Sequence, residues 1–157
     1  METLEIALAV FYVPTLIKGK PAKGASNYRL LLEDRRSHSK YGEEWGFFGG
    51  KKEEQDKSIE ATLKREVKEE LGIELSRFLY FKRYEWNPDG KTKAVEHHYL
   101  AELPQYLLEG NELKSETIRG TEGTSRVKLF GISEAKTLKL MEPHYRLLND
   151  LEAYLNR

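Results

Sequence analysis

Between Ser58 and Gly72, the residues Ile59, Leu63, Val67 and Leu71 recur every four positions in an otherwise charged stretch. That period predicts an α-helix with one apolar stripe and charged remaining faces. Ser58 is suited to cap its first turn, and Gly72 stands where a helix stops. A helix apolar on one side must lay that stripe on another apolar surface. The rest of the chain has to supply one.

Runs rich in β-branched and aromatic residues flank the helix. Leu4 to Val13, Tyr28 to Leu32, the aromatic segment Trp45 to Gly50, Arg77 to Trp86, Lys91 to Leu103 and Arg126 to Ile132 read as strands. Asn87-Pro88-Asp89-Gly90 is a turn signal, so the strands on either side of it form a long hairpin. Pro14 to Ser26 reads as a flexible surface connection and Arg35 to Glu43 as a polar loop. A second helix is expected over Glu142 to Leu155, with Pro143 in its first turn and Tyr145, Leu148, Leu151 and Leu155 facing inward. The reading is an α/β fold, a mixed β-sheet with helices packed on both sides, in a single domain spanning residues 1–157.

Composition narrows the function. Lys+Arg and Asp+Glu both number 26, so the chain lacks the basic excess of a general nucleic-acid binder. A small anion is the better expectation, and no nucleic-acid partner is expected. There is no Cys, which rules out thiolate nucleophiles, thiolate metal sites and disulfides. The apolar run Ile6 to Val13 is too short to span a membrane, and Glu2 and Glu5 precede it instead of the basic flank of a signal peptide. A cytoplasmic protein with no membrane partner is expected.

The chemistry is suggested by Arg65-Glu66-Val67-Lys68-Glu69-Glu70-Leu71-Gly72-Ile73. Glu66, Glu69 and Glu70 share one helical face beside the apolar stripe. Like charges at this spacing destabilise a helix by roughly 0.2–0.5 kcal/mol per pair, and crowding raises their pKa values. A hard divalent cation removes both penalties. The bland alternative is a solvated Glu-rich face with exposed ion pairs to Lys64 and Lys68.

With the upstream Gly49-Gly50, this stretch resembles the Nudix box over about thirty residues of the chain. Arg65, Glu66, Val67, Glu69, Glu70, Gly72 and Ile73 match every fixed position of its second half. The first half departs from it. Asp56 stands where the family carries Glu, and eight residues separate it from Arg65 where the family has seven. The position counted back from Arg65 falls on Lys57, and Asp56 is the better candidate for the role of that first acid.

The resemblance implies the family's sandwich fold and a magnesium-dependent hydrolase, with Mn²⁺ as a substitute ion. Such an enzyme splits the pyrophosphate bond of a nucleoside diphosphate linked to another group: a nucleoside triphosphate, nucleotide sugar, ADP-ribose or dinucleoside polyphosphate. It implies Glu66, Glu69, Glu70, the carbonyl of Gly49 and a loop acid, Glu122, as metal ligands. Glu66 is the first choice of general base, oriented by Arg65. Glu53 is a candidate outer residue. Gly50, Lys51, Arg35 and Trp45 are substrate-binding candidates, and Arg36 and Lys52 flank the same region. Trp45, Phe47, Tyr84 and Tyr99 could stack a base, although strand aromatics more often belong to a core. His97 and His98 should point to opposite faces of a strand, which disfavours a joint metal site. Pro88 lies near a spacing associated with ADP-ribose hydrolases, and the turn explains it without a substrate. The alternative function is a non-catalytic nucleotide sensor on the same fold. A homodimer is plausible for the family.

Overall fold

The computed structural model describes residues 1–157. Eight strands form one sheet: β1 Glu2–Pro14, β2 Tyr28–Asp34, β3 Trp45–Gly46, β4 Phe48–Lys51, β5 Leu79–Trp86, β6 Thr92–Glu102, β7 Thr117–Gly120 and β8 Gly123–Gly131. The main order is β7-β8-β2-β1-β6-β5, with β3 paired to β2 and β4 to β1. β1 runs parallel to β6 along the whole of β6, from Glu2 opposite Thr92 to Tyr12 opposite Glu102. The other pairings are antiparallel.

On its other edge β1 changes partners. Ile6 to Ala9 pair with Lys51 to Phe48 of β4, whereas Tyr12 to Pro14 pair with Leu30 to Tyr28 of β2. The sheet therefore forks along β1. The candidate site is built at this fork.

Helix α1, Ile59–Leu71, covers one face. Its Leu63, Val67 and Leu71 are buried against Ala7, Ala9, Phe11 and Phe48. Each fully buried aliphatic side chain of this kind contributes about 1.5–3 kcal/mol, so the stripe suffices to fix the helix on the sheet. Ser58 caps it, its Oγ accepting from Ala61 N at 3.0 Å, and Gly72 ends it with φ 68°. Helix α3, Glu142–Leu155, covers the opposite face together with a short α2, Ile132–Ala135. Leu148 and Leu151 are inward as expected, but His144 and Leu147 join them, while Tyr145 and Leu155 are only half-buried. The layered α/β fold with helices on both faces is the one expected.

Three segments differ from the sequence reading. Residues 14–26 are ordered around a two-strand turn, Leu16–Ile17 with Lys20–Pro21, and are tied to the C-terminus by Asn156 Oδ1, which accepts from Ala25 N at 2.8 Å. The aromatic segment at 45–50 is divided between β3 and β4. The strand expected to run from Arg126 to Ile132 starts at Gly123 and is preceded by β7, with Ile132 opening α2.

Candidate active site

Arg65 organises the acidic turn of α1. Its Nε and Nη2 grip both oxygens of Asp56, at 2.9 and 2.8 Å. Nη1 reaches Glu66 Oε1 at 3.0 Å and Glu69 Oε2 at 3.3 Å. Asp56 is buried and also accepts from Thr62 Oγ1 and Glu53 N, each at 2.9 Å. Hydrogen bonds from Arg65 hold its carboxyl well below the usual carboxylate range. Asp56, rather than the exposed Lys57, thus faces Arg65. The longer loop is closed by this clamp.

Glu70 turns inward, and its Oε1 accepts from Gly49 N at 2.8 Å. Burial pushes its pKa up to about 9, reinforced by the nearby negative charges of Glu33 and Glu66; the Gly49 N–H and Arg35 oppose the shift. Burial likewise raises Glu66, against the pull of Arg65. Glu33 was absent from the sequence reading. It sits at the end of β2 beside the fork, with a buried carboxylate 3.0 Å from Arg35 Nη1. An acid closing the apolar run Leu30 to Leu32 was the only signal, and β2 brings it to the site only through tertiary pairing.

The two glycines of β4 have different duties. At Gly49 φ is 148°, and an added Cβ would collide with the Ala7 carbonyl in β1. At Gly50 a Cβ would fall 2.5 Å from the Glu66 carboxyl carbon, the mobile end of a side chain. Gly49→Ala should therefore lower the melting temperature by several degrees, through backbone strain of roughly 1–3 kcal/mol. Gly50→Ala should keep the fold and displace Glu66. Thermal melts with kinetics on the same samples check this; equal losses of stability in the two variants would contradict it.

The remaining candidates are distributed unevenly. A cavity of about 300 Å³ beside Gly49 and Gly50 is lined by Arg35, Lys51, Lys40, Tyr41, Trp86 and Pro88, among others. Arg35 is on its wall, but its guanidinium is committed to Glu33 and Glu43. Lys51 is exposed at the rim. Trp45 does not line this cavity. It packs edge-on against Phe130, under Arg36, beside a separate surface groove. On the two-residue β3, Gly46 and not Trp45 faces this cavity. Tyr41 and Trp86, in edge-to-face contact at 5.6 Å, are the aromatics that sequence reasoning missed there. Phe47, Tyr84 and Tyr99 are buried, Phe47 in the wall of this cavity. Glu122 is exposed, and its amide donates to the Glu69 carbonyl at 3.1 Å, so its loop rests on the acidic turn. Glu53 lies 3.8 Å from Arg65.

The loop at 35–44 is ordered by one buried acid. Glu43 accepts from the amides of Lys40 and Tyr41, from Ser39 Oγ and from Arg35 Nε. Burial works to raise its pKa, but these donors outweigh it and bring the carboxyl to about 2.

With this geometry established, comparison with known proteins is informative. A family model described as NUDIX domain matches residues 22–151. The chain belongs to the Nudix family. Solved structures with the same fold include the Escherichia coli ORF135 protein, 22% identical, covering 98% of this chain and 91% of that one at a TM-score of 0.64. MutT, from a study of the Aliivibrio salmonicida and Vibrio cholerae proteins, is 17% identical, with coverage of 98% and 99% at 0.63. The Nudix domain of Shewanella oneidensis NrtR, solved with ADP ribose, is 19% identical, with coverage of 99% and 90% at 0.63. No curated protein sequence matches significantly. Family and fold together support a Nudix pyrophosphohydrolase. No helix is long and apolar enough to cross a membrane.

Proposed function

We propose that the chain hydrolyses the pyrophosphate bond of a nucleoside diphosphate linked to another group, using Mg²⁺ or Mn²⁺. The observation that carries this reading is the placement of Glu66, Glu69 and Glu70 on one turn of α1 against the Gly49–Gly50 strand, with Glu70 Oε1 2.8 Å from Gly49 N; desolvation and crowding raise Glu70 to about 9. Half-buried acids gathered on one turn, with Glu70 out of reach of the Arg65 guanidinium that serves Glu66 and Glu69, fit a divalent ion. The donors are all hard oxygens, the type that Mg²⁺ and Mn²⁺ take. Glu66, Glu69, Glu70 and the Gly49 carbonyl would hold the ion, with Glu122 as a further ligand. Bound there, the ion would neutralise diphosphate charge and make water more acidic.

The chain's own residues supply the rest. Arg65 donates to Glu66 Oε1, which orients that carboxylate and leaves Oε2 to accept the proton of the attacking water. Water attacks one phosphorus in line, the anhydride P–O bond breaks and the second phosphate leaves. Lys51 and Lys40 at the cavity can meet phosphate oxygens, and Tyr41 and Trp86 offer ring surface for a base.

Phosphate release with and without Mg²⁺ should identify the substrate, tested on nucleoside triphosphates, nucleotide sugars, ADP-ribose and dinucleoside polyphosphates. Absence of ion-dependent turnover on the whole panel would refute catalysis. It would favour the nucleotide-sensing alternative, for which the likeness to NrtR, also solved with a DNA 27mer, is the specific support.

The ion should also compete with a proton. Below about pH 9, binding has to displace the proton on Glu70. Apparent Mg²⁺ affinity should therefore rise with pH, by up to about tenfold per unit between pH 6 and 8. Calorimetry in buffers of different ionisation heat checks this, and an affinity flat across that window would contradict it.

A further inference from the structure

A second cluster lies away from α1, on the opposite face of the sheet. Glu96 and His98 are two residues apart on β6 and so share a face, and His144 comes down on them from the first turn of α3. Nε2 of His98 is 2.8 Å from Glu96 Oε1, and Nε2 of His144 is 3.1 Å from the same oxygen. Trp86 Nε1 donates to Glu96 Oε2 at 3.0 Å. Residue exposures are 2%, 0% and 2% for Glu96, His98 and His144.

We propose that Glu96, His98 and His144 form a binding site for one transition-metal ion of the Zn²⁺ type, separate from the all-oxygen site on α1. Three ligand atoms, one carboxylate oxygen and two imidazole nitrogens, converge within 4.8 Å of one another. Two His and one Glu is a donor set zinc uses with its fourth position open. Imidazole favours Zn²⁺ over Mg²⁺ or Ca²⁺, so the two sites should sort ions by ligand hardness. Glu96 and His144 line the cavity described above, which offers an entry path and a place for the fourth ligand.

The Nε2 atoms, not the Nδ1 atoms, face the convergence point. Both Nδ1 atoms, of His98 and of His144, are buried without a hydrogen-bond partner. If each ring carries its hydrogen on Nε2, two bare Nδ1 lone pairs are buried. If each carries it on Nδ1, two Nε2 lone pairs face a carboxylate oxygen and repel it. In that second arrangement a cation between the three atoms removes the repulsion, while both Nδ1–H groups keep no acceptor. The cation also ties β6 to α3 from within.

The test uses the whole 157-residue chain carrying Glu66→Gln and Glu70→Gln, which silences the acidic site. The protein is stripped with chelator, loaded with Zn²⁺ alone, dialysed and assayed for metal by atomic emission. One equivalent per chain is expected. Zinc should raise the melting temperature by about 5 °C or more. Loading with Co²⁺ should give the visible ligand-field bands of a low-coordinate site, and X-ray absorption of the zinc form should show two imidazole ligands. His144→Gln should lose the retained metal and the thermal shift. These spectra are taken without the His144 variant, so its misfolding would not shelter the proposal. No retained zinc, or zinc with fewer than two imidazoles, would overturn it, and so would full retention in a folded His144→Gln.

Discussion

Glu70→Gln is expected to remove nearly all turnover and, in metal-free protein, to raise stability at pH 8. Both effects follow from one buried carboxyl. On the proposed function, the ion it would help to hold is worth several kcal/mol of transition-state charge stabilisation. At about 1.36 kcal/mol per decade, its loss lowers the rate roughly a thousandfold. The sign of the stability effect is opposite. The folded-state pKa of Glu70 is about 9 against an ordinary 4.5, so between those values the folded chain binds one more proton than the unfolded chain. Stability is fully present below pH 4.5 and falls as pH rises through that window. Gln carries no such titration. The variant should melt roughly 5 °C above the parent at pH 8 without metal, and the gap should close towards pH 5. Kinetics with Mg²⁺ and calorimetric melts in chelator check the two halves separately. A stable variant that retains full rate would sink the metal-site assignment. A variant that melts at the parental temperature at both pH values would instead sink the account of Glu70 as a strained acid.

Asp56→Ala should be the most destabilising single change in the loop before α1. The Asp56 side chain is 4% exposed and meets Arg65 through two parallel bonds, where Arg65 itself is 21% exposed. Removing one partner of a buried pair costs about 3–5 kcal/mol. Arg65 would keep Glu66 and Glu69, so the lower end applies, about 3 kcal/mol. For a chain of this size that is a fall of roughly 6–12 °C in melting temperature. The pH dependence has the usual carboxylate sign. Because Arg65 depresses the Asp56 pKa, the pair stabilises the fold above the ordinary value near 4 and stops doing so as pH falls below it. The melting temperatures of parent and variant should converge in acid. Turnover should also fall, because Arg65 loses the anchor that sets its reach to Glu66. A melting temperature within about 2 °C of the parent at pH 7 would mean that Asp56 does not hold this loop.

Helix α1 was legible residue by residue, because everything that specifies it is local. A four-residue apolar period, a Ser at its start, a Gly at its end and acids one turn apart all lie within fifteen positions of one another. The strands were legible as apolar runs, and their ends shifted by a few residues where pairing rather than composition sets them. Glu33 was illegible, since its role depends on where the sheet forks. The Glu96, His98 and His144 cluster was half-visible. Adjacent histidines on a strand do point apart: His97 Nε2 meets Glu5 at 2.7 Å on one side, while His98 is buried on the other. Its partner, however, waits on a helix forty-six residues downstream, and no local pattern announces that meeting. Trp45 stands at a different groove from the one beside Gly49 and Gly50 for a related reason. Two neighbouring strand residues look interchangeable in sequence, and only register decides which one faces the cavity.

The divided edge of β1 has an evolutionary consequence. Residues 35–44 join two strands without contributing a rung to β1, yet they bring Lys40 and Tyr41 to the cavity wall. That segment can be lengthened, shortened or re-lettered while the carboxylates of α1 stay where they are. On the proposed function, selectivity for the group beyond the diphosphate would thus be free to drift under selection, with the hydrolytic apparatus held constant behind it.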